Sequence, residues 1–289
     1  MKVSSKQVRM ALILAASLVG SAACFGQAAS TPPQQQPAPA AGDKSTAPQT
    51  APLTLESTPP PVSAEEDAAI KLFRESKPDD LAQKNQAAEN FLQKYPQSRY
   101  CAEVYSWQVR YFLNKNEVDK MEAAGDKQLA LTPNDAQTLV IVGSTLPRAM
   151  NASTPEPQKR LAKAEQYCQK ALDVLPTMGK PEGMTDDQFL RAKNQTAAMA
   201  YSGLGLVAFR RGKFADAIPN FEQSVKLDPQ PDPVNYYLLG ICNEKTSHFD
   251  DAVTDFTQCS AIPGGVQATC KQSIDEAKKL GATQLSAPK

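Results

Sequence analysis

The 289-residue chain has one histidine, one tryptophan and only 7% aromatic residues. A single imidazole cannot serve as base, acid and metal ligand together, so most histidine-dependent chemistry is excluded. No Cys-x-x-Cys or His-x-x-x-His spacing occurs, and no Gly-rich phosphate loop. These absences predict no metal site, no cofactor and no nucleotide. A surplus of one charge is lacking too, since 31 basic residues face 31 acidic ones. Neutralising phosphates needs extra Lys and Arg, so nucleic acid is not an expected partner. An apolar stretch from Met10 to Gly20 falls short of the ~18 residues of a membrane span.

What is present begins with an address. Lys2, Lys6 and Arg9 precede the apolar stretch, and small residues follow it to Ala28. Cations, a short apolar core and a small-residue exit predict a signal peptide over residues 1–28. The protein is therefore expected in the periplasm or cell envelope, or secreted. Gly26-Gln27-Ala28 offers one cleavage site; Ser21-Ala22-Ala23 offers an earlier one, directly before Cys24. That earlier site resembles a bacterial lipoprotein signal, with Ser21 where the motif prefers Leu, and makes Cys24 a candidate for lipidation. Membrane attachment would run through a lipid on Cys24 or an uncleaved leader. A cut after Ala28 removes three cations from the balance of 31 and 31, leaving a net charge of −3.

Residues 29–62 change character. Nine prolines lie between Ala29 and Pro61, with Asp43, Lys44 and Glu56 as the only charges. Such a composition buries too little apolar surface to offset its ordering entropy, and predicts a disordered spacer. Order is expected from Ser63, where Ser63-Ala64-Glu65-Glu66 fits a capping box. From there the chain reads as helices broken by Pro, Gly or Asn, with no sustained strand-like alternation.

Self-comparison sets the architecture. Tyr201, Leu204, Gly205, Phe214, Ala217 and Phe221 recur 35 residues later as Tyr236, Leu239, Gly240, Phe249, Ala252 and Phe256. Pro229 and Pro263 close the two segments. This register resembles the tetratricopeptide repeat, whose period is ~34 residues. The resemblance implies an all-α, right-handed solenoid of about five helical hairpins plus a C-terminal capping helix. Residues 196–265 are expected to hold the two well-matched units, and 266–289 the capping helix and tail. Residues 135–195 form a looser unit around Gly143, Ala164 and Ala171, with a polar loop inserted at Asn151–Pro157 and a long helix capped by Thr185-Asp186-Asp187-Gln188. Residues 63–134 are degenerate, and Trp107 can be registered two ways. The run Phe91–Tyr100 resembles repeats of bacterial envelope proteins, including outer-membrane assembly lipoproteins and Tol–Pal periplasmic proteins.

Few residues invite chemistry. His248 falls in the turn before Phe249, a solvated position. Asp186-Asp187 and Asp250-Asp251 fall in first helical turns, where acids oppose the helix dipole. Without Cys24, five cysteines remain. Cys259 and Cys270 stand five residues either side of Gly264-Gly265, at one level on two antiparallel helices. They are a candidate disulfide; the alternative is that Cys259 replaces a small repeat alanine.

In tetratricopeptide proteins the first helix of each hairpin lines a peptide-binding groove. By that resemblance the groove here would present Ser202, Leu206, Phe209, Arg210, Tyr237, Ile241 and Lys245, an apolar surface with a basic edge. The alternative has Leu206, Phe209 and Ile241 covered by the neighbouring hairpin or the last helix. The implied function is a non-catalytic scaffold or adaptor of the envelope, its protein partner unspecified. An outer-membrane assembly or Tol–Pal-like lipoprotein is the narrower form. The competing class is a carboxylate-dependent hydrolase of wall polymers, marked by a pocket with a pKa-shifted acid pair.

Overall fold

The computed structural model describes residues 63–76 and 80–285; the leader, the spacer and Cys24 lie outside the described residues. Within them are eleven α-helices and one short 3-10 turn, with no strand. They pair in chain order as five antiparallel hairpins. The first is α1 (Ala64–Glu75) with α2 (Leu81–Lys94), the second α3 (Cys101–Asn114) with α4 (Val118–Leu131). Next come α5 (Ala136–Ala149) with α6 (Pro157–Val174), α7 (Asp186–Arg210) with α8 (Phe214–Leu227), and α9 (Pro233–Lys245) with α10 (Phe249–Ala261). A single helix, α11 (Gln267–Leu285), packs on α10. No described helix is long and apolar enough to cross a membrane.

Local chemistry explains the helix starts. Ser63, Asp80, Asp135 and Asp232 each accept a backbone N–H from the first turn that follows, satisfying donors a helix start leaves free. Thr185 forms the full reciprocal box with Gln188. Ser63 does not. Its Oγ takes the Glu66 N–H, but the Glu66 carboxylate turns to the Ser98 hydroxyl and ties α1 to the turn before α3.

Three hairpins share one turn. Asn116, Gly212 and Ser247 have φ of 58°, 73° and 64°. The residue after each donates to a carbonyl five back: Glu117 to Phe112, Lys213 to Ala208, His248 to Asn243. Left-handed backbone favours glycine, yet only one of the three is glycine. This turn fixes the register of the degenerate repeat. Tyr105 falls level with Tyr201 and Tyr236, and Trp107 level with Gly203 and Leu238.

Small residues set the helix spacing. A Cβ on Gly205 would lie 2.8 Å from the ring of Phe221, and one on Gly240 2.6 Å from that of Phe256. Each ring therefore fills the space its glycine leaves, and burying such a side chain contributes about 1.5–3 kcal/mol. In the third hairpin Gly143 receives Cys168, whose Sγ would be 2.6 Å from an added Cβ. In the second the pair is inverted: Val109 stands at the glycine position and Gly125 at the phenylalanine position, with Val142 of α5 filling the gap.

Candidate partner-binding surface

The odd-numbered helices α3, α5, α7 and α9 carry the face that the repeat register assigns to partners. Over α5, α7 and α9 that face is largely closed by the protein itself. Arg148, at the end of α5, reaches Asp232 at the cap of α9 at 2.9 Å. Its guanidinium also approaches Ser202 Oγ at 3.4 Å. Ser202 donates to Asn235 Oδ1 at 2.8 Å, Asn235 donates to Ser224, and Ser224 donates to the Ala198 carbonyl. This chain of bonds satisfies each polar side chain that the helix crossing buries.

The expected groove residues separate accordingly. Ser202 and Leu206 are 4% exposed, which corrects their expected place on an open surface. Ser202 is locked in the network above, and Leu206 packs with Leu239 and Cys242 of α9. Arg210, expected as a solvated edge, donates to the carbonyls of Pro147 at 3.0 Å and Met150 at 3.1 Å. It closes carbonyls that the end of α5 leaves without helical partners. Phe209 is half-buried against Phe214. Tyr237 and Ile241 are half-buried against Phe256 and Ala277, so α11 covers part of them. Burial raises the Tyr237 pKa, with Glu244 and Glu276 adding to the rise. Lys245 is exposed.

The repeat-signature residues lie within the stack. Ala217, Phe221, Leu239, Ala252 and Phe256 are buried with Gly205 and Gly240; Tyr201, Leu204, Phe214, Tyr236 and Phe249 are half-buried at its edges. Cys259 and Cys270 are joined by a disulfide with Cα atoms 5.9 Å apart, fastening α11 to α10. Cys101, Cys168 and Cys242 are buried free thiols. Burial pushes Cys168 and Cys242 up to about 12, which suppresses the reactive thiolate.

The sequence reading missed the inner face of α3. Glu103, Arg110 and Asn114 are exposed there, with Ser106, Trp107 and Tyr111 half-buried. The Trp107 and Tyr111 rings stack at 5.0 Å, and Phe73 of α1 meets the indole edge-on at 5.6 Å. The spacing of 103, 107, 110, 111 and 114 along one helix was the available signal.

The outer side carries ions and clefts. Arg160 pairs with Asp119 and Glu122, Lys163 with Glu122 and Asp126, and the Tyr167 hydroxyl donates to Asp126. A cleft of about 550 Å³ lies between α6 and α8, lined by Glu165, Gln166, Gln169, Arg211 and Asn220 among others. Among the described residues, Asp255 of α10 is a carboxylate pushed up, to about 6. Burial is the main cause, opposed by a hydrogen bond from Asn243 and reinforced by Asp251 and Glu222. It packs against α9 and is not among the residues lining that cleft. His248 is an exposed turn residue sharing a hydrogen bond with Thr246. Among the described residues no group of three or more His, Cys, Asp or Glu is placed to hold a metal.

Stacked antiparallel hairpins with a small-residue notch and a ring between paired helices define a helical-repeat protein. Residues 198–231 match the family model of the tetratricopeptide repeat, one full period, so the chain carries a tetratricopeptide repeat within an all-helical stack of hairpins. Curated protein sequences give no match. Among solved structures, it resembles MamA protein at 19% identity and a TM-score of 0.45, over 65% of this chain and 88% of that one. It resembles PilW, a type IV pilus biogenesis factor, at 16% and 0.47, over 78% and 96%. For PilF of Pseudomonas aeruginosa the values are 17% and 0.47, over 77% and 93%. Likenesses at this level carry no conclusion about function.

Proposed function

We propose that this protein is a non-catalytic protein–protein interaction scaffold of the bacterial cell envelope, holding a partner segment against the inner face of its hairpins. The observation that carries this reading is the stack of hairpins itself. Its inner face presents half-buried rings and exposed charges on helices held rigid by the packing behind them, the arrangement suited to a peptide or helix. Phe209, Tyr237, Ile241 and Lys245 belong to that face at one end, and the α3 stripe at the other. The envelope address rests on the leader-like N-terminus, with Lys2, Lys6 and Arg9 before the apolar stretch. A disulfide between Cys259 and Cys270 accords with an oxidising compartment.

Cell fractionation with mass analysis of the mature N-terminus tests the address. A chain beginning at Ala29 and recovered outside the cytoplasm supports it, and a diacylglyceryl group on Cys24 would narrow it to an envelope lipoprotein. A cytoplasmic chain retaining residues 1–28 contradicts it. Affinity capture from the envelope fraction tests the scaffold role: a discrete co-purifying protein is expected, and its absence counts against the reading.

A further inference from the structure

We infer that the inner face of α3 is the principal docking surface, and that it takes an acidic peptide segment bearing an apolar ring. This rests on the scaffold reading above and says where, and for what chemistry, the scaffold is open. Two observations carry it, one of packing and one of charge.

The inner face is closed where α5, α7 and α9 cross. The Arg148–Asp232 ion pair, the Ser202–Asn235–Ser224 chain and the Arg210 bonds to Pro147 and Met150 use up the polar groups there. On α3 the corresponding face lies open. Glu103, Arg110 and Asn114 are exposed, and the stacked Trp107–Tyr111 pair is half-buried. Rigid stacked rings give contact area at little entropic cost, which is why Trp and Tyr serve as interface anchors.

The charges around the rings do not balance. The one acid on the stripe, Glu103, is held by both arms of Arg74, at 2.9 and 2.7 Å. Arg110 meets only Gln137 and Ser106. Lys84 lies over the Phe73 and Trp107 rings at 4.8 and 5.6 Å, and Lys115 over Tyr111 at 6.0 Å. None of Lys84, Arg110 and Lys115 has a carboxylate within ion-pair distance among the described residues. Lys84 also acts electrostatically on Glu103, which leaves Arg110 and Lys115, bordering the aromatic pair, to complement carboxylates bordering an apolar ring. A basic segment would be repelled at the same place.

The chain's single tryptophan lies in this surface, so binding reads out directly. The probe is a synthetic peptide of repeated Glu-Pro-Phe units, beside Gln-Pro-Phe and Lys-Pro-Phe controls, all fluorescein-labelled and tested on the full mature chain. Expected are a change in Trp107 emission and saturable anisotropy with the acidic peptide alone, weakening as salt rises. Arg110→Glu should weaken binding by about tenfold or more, with unchanged helicity and melting temperature because Arg110 is exposed. Lys226→Glu, an exposed position on α8 away from that face, should leave it unchanged. Equal binding of all three peptides, no binding of the acidic one, or as great a loss with Lys226→Glu as with Arg110→Glu overturns the inference. Capture of an envelope protein that survives Arg110→Glu also overturns it while leaving the scaffold reading intact. Capture of nothing by the unaltered chain removes both.

Discussion

The guanidinium of Arg148, on the last turn of α5, meets the Asp232 carboxylate at the cap of α9 at 2.9 Å, with α7 between those two helices in the chain. The pair fastens the third hairpin to the fifth directly. Its side chains are 29% and 22% exposed, so it should contribute more than a free surface pair. A double-mutant cycle with Arg148→Ala and Asp232→Ala should give a coupling of about 1 kcal/mol, measured by urea unfolding. A coupling near zero would mean that the third and fifth hairpins are not joined through this pair.

The Gly205–Phe221 and Gly240–Phe256 notches predict a pattern in stability. Gly205→Ala places a methyl against the Phe221 ring, and the overpacking should cost about 1–3 kcal/mol despite alanine's better helix propensity. Phe221→Ala leaves a cavity and should cost about 3–5 kcal/mol. Because the two side chains share one space, Gly205→Ala should cost less in a Phe221→Ala background. Denaturant midpoints at constant m-value report all three.

The shared hairpin turn separates three chemically different left-handed residues. Ser247→Gly and Asn116→Gly should each raise stability by a few tenths to about 1 kcal/mol, Ser247→Gly more, since asparagine tolerates that backbone better than serine. Gly212→Ala should lower it by about 1 kcal/mol. Thermal melts of the three variants decide the order.

Asp255 predicts a pH dependence with a definite sign. Its folded pKa, about 6, lies above the ordinary 3.8. The folded chain thus binds more protons than the unfolded chain between those values, and this group's contribution to stability falls as pH rises through the window. Asp255→Asn retains an oxygen for the Asn243 amide and loses the buried charge. It should be more stable than the parent at pH 7 by about 1 kcal/mol, the full shift being reduced by partial solvent access. The two proteins should converge near pH 4. A gain for the variant that persists unchanged at low pH would contradict the assignment.

The cysteines predict a sharp division of reactivity. Non-reducing peptide mapping should recover Cys259 linked to Cys270, while Cys101, Cys168 and Cys242 resist alkylation until the protein unfolds. Replacing both Cys259 and Cys270 with serine should lower the melting temperature and loosen α11 first. That helix offers only Ile274, Ala277 and few other apolar groups to the stack.

The last two hairpins were legible because each places glycine opposite phenylalanine at a fixed spacing, and both partners recur. The second hairpin was not, because it solves the same packing problem in reverse. Val109 of α3 stands where the later hairpins have glycine, Gly125 of α4 stands where they have phenylalanine, and Val142 of α5 fills the gap. Neither residue of the motif stands at its usual position there. The turn at Asn116, which aligns Tyr105 with Tyr201 and leaves Trp107 off the signature, becomes visible only in backbone geometry.

The groove was read less well, for a related reason. Repeat register says which residues point inward, and Ser202, Leu206 and Arg210 do. It does not say how closely successive hairpins approach. Arg148, Asp232 and Asn235 draw the third to fifth hairpins together and cover Ser202 and Leu206, while Arg210 turns onto the carbonyls at the end of α5. Arg148 and Asp232 lie 84 residues apart, a separation no local pattern reveals. The α3 stripe was overlooked because its repeat was degenerate, so no register was available to assign its inward face.

The central claim is that a protein partner sits on the inner face of the stack. Site-specific photocrosslinking in living cells tests it most directly, with the crosslinker placed at Asn114 or Lys245 on the inner face and at Gln169 or Asn220 in the outer cleft. The account predicts discrete protein adducts from the inner positions, strongest at Asn114, and none from the outer pair. Adducts from the outer positions alone, or none from any, would contradict it.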